Sequence, residues 1–215
     1  MAMSIQLFGH RVLLKYEKLK EASIGGIVIP DVAGKHDLHR TGRVQFLGNG
    51  RVFDPYKKQT EVIPSLVRVG DLVMFQINDV MRWAQIYRHL EDDMLHMLQT
   101  ELIARINGEQ VNLATFEILG DYVLVKPEVR QPKSKIVMPD TIKQAEMIHY
   151  TAIQKGSTVD LPFEEDQEII CNHGRVNPIF IPVHLPDGTA KQEEFGYVFK
   201  DFVHGVVDND HALQA

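Results

Sequence analysis

The chain has 215 residues, 44% of them hydrophobic, a formal net charge of -6 and one cysteine. That length allows one large domain or two small ones with a real core. The acidic balance argues against a general nucleic-acid binder, which needs a basic face to release counterions from phosphate.

Cys171 has no second cysteine to pair with, so a reducing compartment is expected. Met1 to His10 lacks the basic region and apolar run of a signal peptide. No window approaches the roughly 18 apolar residues of a membrane span. These features point to a soluble cytoplasmic protein with no membrane partner.

In chain order, Arg11 to Glu17 reads as a strand entering from a turn at Gly9-His10. Gly25-Gly26-Ile27-Val28-Ile29-Pro30-Asp31 follows inside a mostly polar segment. Its glycines loosen the backbone, and Pro30 biases Ile29 towards an extended shape. A short buried strand and a flexible arm carrying a hydrophobic plug both fit this pattern. Gly42 to Leu47 is a second strand with Val44 and Phe46 on one face, ended by the turn residues Gly48-Asn49-Gly50.

Arg51 to Pro64 reads as a surface loop or extended hairpin, and Val69-Gly70-Asp71 as a turn feeding the strand Leu72 to Phe75. Met81 to His89 offers further strand around Trp83, and Leu102 to Ile106 closes the first half. Helical signal is weak: Glu91 to Leu98 could hold a turn or two, and Asp140 to His149 is the better candidate, with Asp140 as its cap, although either could equally be loop. Short strands punctuated by glycine turns suggest a small barrel or sandwich.

The same order of pieces then occurs again. Gly9 to Glu17 lines up with Gly120 to Glu128, and Ile27 to Asp31 with Ile136 to Asp140. The strand ending at Gly48 matches Thr151 to Gly156, Leu72 to Phe75 matches Glu168 to Cys171, and Leu102 to Ile106 matches Phe202 to Val206. Two tandem units are expected, 1–108 and a divergent 109–215, in an all-β chain.

The first unit resembles the GroES-type co-chaperonins (chaperonin-10 family) through Arg11 to Lys15, Gly25 to Asp31, Gly42 to Val44, Gly48 to Arg51, Val67 to Phe75 and Glu101 to Ile106. The resemblance implies two tandem GroES-like irregular β-barrels, each with a loop excursion, and a roof hairpin near residues 49–67. Members of this family cap the open ring of a GroEL-type chaperonin when that partner holds ATP. On this chain the resemblance implies partner binding by Gly25, Gly26, Ile27, Val28 and Ile29, and by Ile136, Val137 and Met138 in the second unit. It also implies a homo-oligomeric ring, and no cofactor here, because the ATP is the chaperonin's. The second unit departs from the pattern, with Ser134-Lys135 in place of the Gly-Gly pair and a divergent middle from Asn172 to Gly196.

No Ser-His-Asp arrangement, P-loop or dinucleotide glycine pattern occurs, so an enzyme is not expected. Cys171 with His173, and His36 with His39, lack the paired spacing of a zinc site. The acidic runs Glu91 to Asp93 and Glu164 to Asp166 read as solvated loops. One reading of another class stays open, because fold does not fix function. It is a virion structural protein built from the duplicated fold, with a viral capsid protein as partner. A double unit arranged as a trimer gives pseudo-sixfold symmetry suited to a capsid lattice.

Overall fold

The computed structural model describes residues 6–16, 22–24, 27–29, 39–76, 94–128, 148–185 and 188–207; at 22–24, 27–29 and 148 the description is of the backbone. The chain divides into two compact units, Met1–Gln110 and Val111–Ala215. Among the described residues both are built from strands and short 3-10 turns, and no helix is long and apolar enough to cross a membrane.

The first unit contains β1 (Arg11–Tyr16), β2 (Ala22–Ile24), β3 (Ile27–Ile29), β4 (His39–Leu47), β5 (Arg51–Asp54), β6 (Gln59–Val62), β7 (Leu72–Gln76), β8 (Met94–Leu98) and β9 (Leu102–Ile106). The second contains β10 (Phe116–Ile118), β11 (Tyr122–Pro127), β12 (Ile148–Lys155), β13 (Glu168–Cys171), β14 (Asn177–His184), β15 (Ala190–Phe199) and β16 (Val203–Val206). Within the first unit the strands run β9-β7-β4-β1-β8, and within the second β16-β13-β12-β11-β15, with β14 added at the edge. One strand plan therefore occurs twice, as two tandem GroES-like β-barrel units.

The repeat extends to irregularities that chance would not match. The β1–β4 register skips Gln45 between the pairs Leu13↔Phe46 and Leu14↔Val44, and β11–β12 skips Ile153 between Leu124↔Gln154 and Val125↔Ala152. The β7–β9 ladder skips Ile103, and β13–β16 skips His204. Such bulges bend and twist a strand, which is how a short sheet curves around its core.

Tight turns recur as well. Gly9 and Gly120 both have positive φ, +68° and +56°, and so do Gly70 and Asp166, +95° and +66°. The amide of Arg68 donates to Asp71 Oδ2 at 2.8 Å, and that of Glu164 to Gln167 Oε1 at 2.8 Å. The acidic run Glu164 to Asp166 is thus the second copy of a specific turn.

Each core comes from the strands around the shared centre. Val12, Leu13, Leu14, Val44, Val73 and Phe75 are buried in the first unit. Val123, Val125, Tyr150, Ala152, Phe163, Ile169, Cys171 and Val198 form one cluster in the second. Burial there pushes the Cys171 thiol up to about 12. In β14 the edge position suits Pro178 and Pro182, which cannot donate to a ladder, while Ile179 and Ile181 point inward and are buried. Phe116 and Ile118 of β10 are held by one side chain: Gln154 Oε1 accepts from Ile118 N at 2.6 Å and its Nε2 donates to Phe116 O at 3.3 Å.

Three sequence expectations change. Met94 to Leu98 is a strand, not a helical turn, because Leu95 and Met97 are buried at a two-residue spacing and pair with β1; the preceding 91–93 lie outside the described residues. Ile148 and His149 open strand β12, while 140–147 of the suggested helix lie outside the described residues, as do Met81 to His89. The closing strands match with Leu102 on Val203, one residue later than the sequence alignment. Val203 faces Cys171 as Leu102 faces Phe75, and Phe202 belongs to the 3-10 turn Lys200–Phe202 that matches Gln99–Glu101.

The second unit carries an acid-sensitive contact at that turn. Asp121 accepts from the Thr158 hydroxyl and pairs with Lys200 Nζ at 2.9 Å. The Thr158 hydrogen bond, followed by Lys200, holds its carboxyl below the ordinary 3.8. A carboxyl with a depressed folded value contributes stability above its unfolded value and loses it as pH falls through the folded one. Lowering the pH from neutral to below 3.8 is therefore expected to reduce the urea midpoint of the native chain more than that of Asp121→Asn. Equal pH dependence in the two would show that the contact contributes nothing.

Candidate functional site

The chain leaves the first barrel after Tyr16, which pairs with Gly42, and rejoins it at His39. Within this excursion β2 and β3 form a two-stranded sheet of their own, with Ala22 opposite Ile29, Ser23 opposite Val28 and Ile24 opposite Ile27. That register leaves two positions between the strands, Gly25 and Gly26, which lie outside the described residues. A Gly-Gly pair between apolar runs is a two-residue hairpin signature. The triplet is therefore a strand, in an excursion and not in the barrel sheet. β2 was not anticipated in the sequence, since Ala22-Ser23-Ile24 is too short and too mixed to register by itself.

The root of this hairpin is braced. The rings of Tyr16 and Phe75 meet edge to face, centroids 6.2 Å apart. Gly42 lies beneath them, where a Cβ would come within 3.2 Å of the Phe75 ring and of the Lys15 carbonyl oxygen. The returning residues His39, Arg40 and Thr41 pair with Gln76, Phe75 and Met74 of β7, so the outgoing and returning legs are fixed to different strands.

The second unit has its excursion at the same topological place, between Pro127 of β11 and Tyr150 of β12. Ile136, Val137 and Met138 lie outside the described residues. The root there is polar instead of aromatic. Thr151 Oγ1 donates to Glu128 Oε1 at 3.0 Å, Glu128 N donates to His149 O at 3.2 Å, and His149 Nδ1 lies 2.5 Å from Glu168 Oε1. Below it, the Tyr150 hydroxyl and His173 Nδ1 are 2.8 Å apart.

Among the described residues, the first unit carries a second projection. β5 and β6 pair from Arg51↔Val62 to Asp54↔Gln59, within the expected roof region. Asp54 Oδ1 accepts from the amides of Tyr56 and Lys57 at the tip. Tyr56 is 95% exposed, Phe53 61% and Val62 69%. The base is tied down by Asn49 Oδ1, which accepts from Gly9 N and Arg51 N, and by buried Gln99, whose Oε1 accepts from Ser65 Oγ at 2.8 Å and Leu66 N at 3.0 Å. In the second unit the corresponding connection stays against the barrel, with Phe163 buried and Leu161 packed on the core.

Known proteins share this first unit. The family described as Chaperonin 10 Kd subunit matches residues 4–106. A "Co-chaperonin GroES" of Enterococcus faecalis is 38% identical over 68 residues, 32% of this chain and 66% of the relative. One of Coprothermobacter proteolyticus is 40% identical over 73 residues, 34% and 68% of the two chains, and one of Aromatoleum aromaticum is 38% identical over 73 residues, 34% and 70%. The chain thus spans about two thirds of the length of these relatives, and each match covers about one third of its own. Together with the barrel, the excursion and the roof hairpin, these matches show that the chain belongs to the chaperonin 10 Kd subunit family.

Proposed function

We propose that this chain is a co-chaperonin that caps a GroEL-type chaperonin ring through a hydrophobic hairpin and so assists ATP-dependent protein folding. The observation that supports this reading most is the β2–β3 hairpin, which places Ile27-Val28-Ile29 in an excursion anchored at both ends of a chaperonin-10 barrel. The relatives are themselves named co-chaperonins. The two strands pair across two intervening positions, and the apolar positions of the hairpin fill a groove of the partner. Ile136-Val137-Met138 offers a second, weaker contact. The role requires no bond to be made or broken on this chain, so it is not an enzyme and holds no cofactor; the nucleotide belongs to the partner. Assembly into a homo-oligomeric ring presents several hairpins at once, and each contact after the first is then effectively intramolecular.

Co-sedimentation with a GroEL-type chaperonin, with and without ATP, tests the reading. Binding that requires nucleotide is the expected result. No binding to any of several chaperonins would overturn it and favour a structural role for the fold.

A further inference from the structure

The hairpin register divides the apolar triplet. In a two-stranded ribbon, residues directly opposite each other share a face and neighbours along a strand alternate. With Ala22 opposite Ile29, Ser23 opposite Val28 and Ile24 opposite Ile27, the positions 22, 24, 27 and 29 fall on one face of the ribbon. Positions 23 and 28 fall on the other. The first face carries three isoleucines and an alanine; the second carries one serine and one valine.

We infer that the partner-docking face of this hairpin is the set Ala22, Ile24, Ile27 and Ile29, so that Ile24, upstream of the glycines, determines chaperonin affinity as strongly as Ile27, and Val28 much less. The inference rests on the co-chaperonin reading above. Three considerations favour it over docking by the contiguous triplet. A flat groove meets one face of a ribbon at a time, so a paired strand cannot offer all of Ile27, Val28 and Ile29 to the same surface. Ile24 and Ile27 flank the reversal, where the ribbon reaches furthest from its root. The Ser23↔Val28 face is half polar, as a face left towards solvent requires.

Threonine substitutions test this, because threonine keeps the β-branched shape that suits a strand while removing apolar contact. Ile24→Thr, Ile27→Thr and Val28→Thr are compared with the native chain for ATP-dependent binding to a GroEL-type chaperonin. The thermal midpoint of each variant is measured to confirm that the barrels are unaffected. Ile24→Thr and Ile27→Thr are each expected to weaken binding by about tenfold or more, and Val28→Thr by a few-fold at most. Native-like binding by Ile24→Thr, or a loss with Val28→Thr equal to that with Ile27→Thr, overturns the inference. If the triple serine variant of residues 27–29 loses binding while Ile24→Thr keeps it, the co-chaperonin reading stands and only the four-residue face fails. If the native chain binds no chaperonin, both fail together.

Discussion

Replacing Ile27, Val28 and Ile29 together by serine is expected to abolish ATP-dependent chaperonin binding while leaving the thermal midpoint of the barrels unchanged. Full burial of a branched side chain stabilises a contact by roughly 1.5–3 kcal/mol, so loss of the apolar hairpin face removes several kcal/mol per arm. Ordering a backbone costs about 1–2 kcal/mol for each residue, which leaves a small net gain per arm. The pairing of β2 with β3 reduces that cost, because a segment already in register has less freedom to lose on docking. In the proposed ring the per-arm loss multiplies across arms, so sedimentation should fall from stoichiometric to background. The barrels are spared because β2 and β3 form a sheet separate from the barrel strands. Retained binding by the triple variant would show that the chain engages its partner elsewhere, with the exposed roof hairpin the next surface to alter.

Gly156→Ala is expected to destabilise the second unit severely, and Gly48→Ala the first. Neither glycine has a positive φ. Each is required because another backbone segment lies against it: a Cβ at Gly156 would strike the Gly120 carbonyl oxygen, and one at Gly48 would strike that of Gly9. The same close approach is held by hydrogen bonds from Gly156 N to Tyr122 O, 2.9 Å, and from Gly48 N to Arg11 O, 2.8 Å. A backbone carbonyl cannot rotate aside as a side chain can, so the sheet itself must move. Overpacking of this kind costs about 1–3 kcal/mol or more, and each kcal/mol lowers the midpoint of a unit this size by roughly 4–8 °C. Gly205→Ala serves as the control, since a Cβ there meets nothing within 4 Å. Thermal unfolding should show a large drop for Gly156→Ala and almost none for Gly205→Ala. Equal midpoints would mean that the Gly120 segment yields freely.

These two predictions draw on different levels of information. The apolar triplet after two glycines, the repeated strand order and the roof region were legible in the sequence, because each is a local pattern of turn residues and apolar runs. The two-residue alternation in Met94 to Leu98 was also present, yet Met94, Leu95, Met97 and Leu98 fit a helical stripe equally well. Only pairing with Arg11 to Lys15 selects the strand, since a five-residue apolar run gains nothing from strand geometry until a neighbour supplies the hydrogen bonds. The closing strand shows the same limit. Phe202 aligns naturally with Leu102 by hydrophobicity, but the turn at Lys200–Phe202 sets Val203 opposite Cys171, and a one-residue slip exchanges the faces of a strand.

By itself, then, the sequence determined the all-β class, the two tandem units, the family of the first and the position of its apolar triplet, all through short-range patterns. Tertiary structure alone decided the rest: the partner strand Ala22–Ile24 and with it the division of the triplet between two faces, the need for Gly48 and Gly156, and the seating of the 156–167 connection against the second barrel. The physical reason is common to all three. Each depends on which backbone segments lie side by side, and that is settled by hydrogen-bond pairing and close packing between residues far apart in the chain.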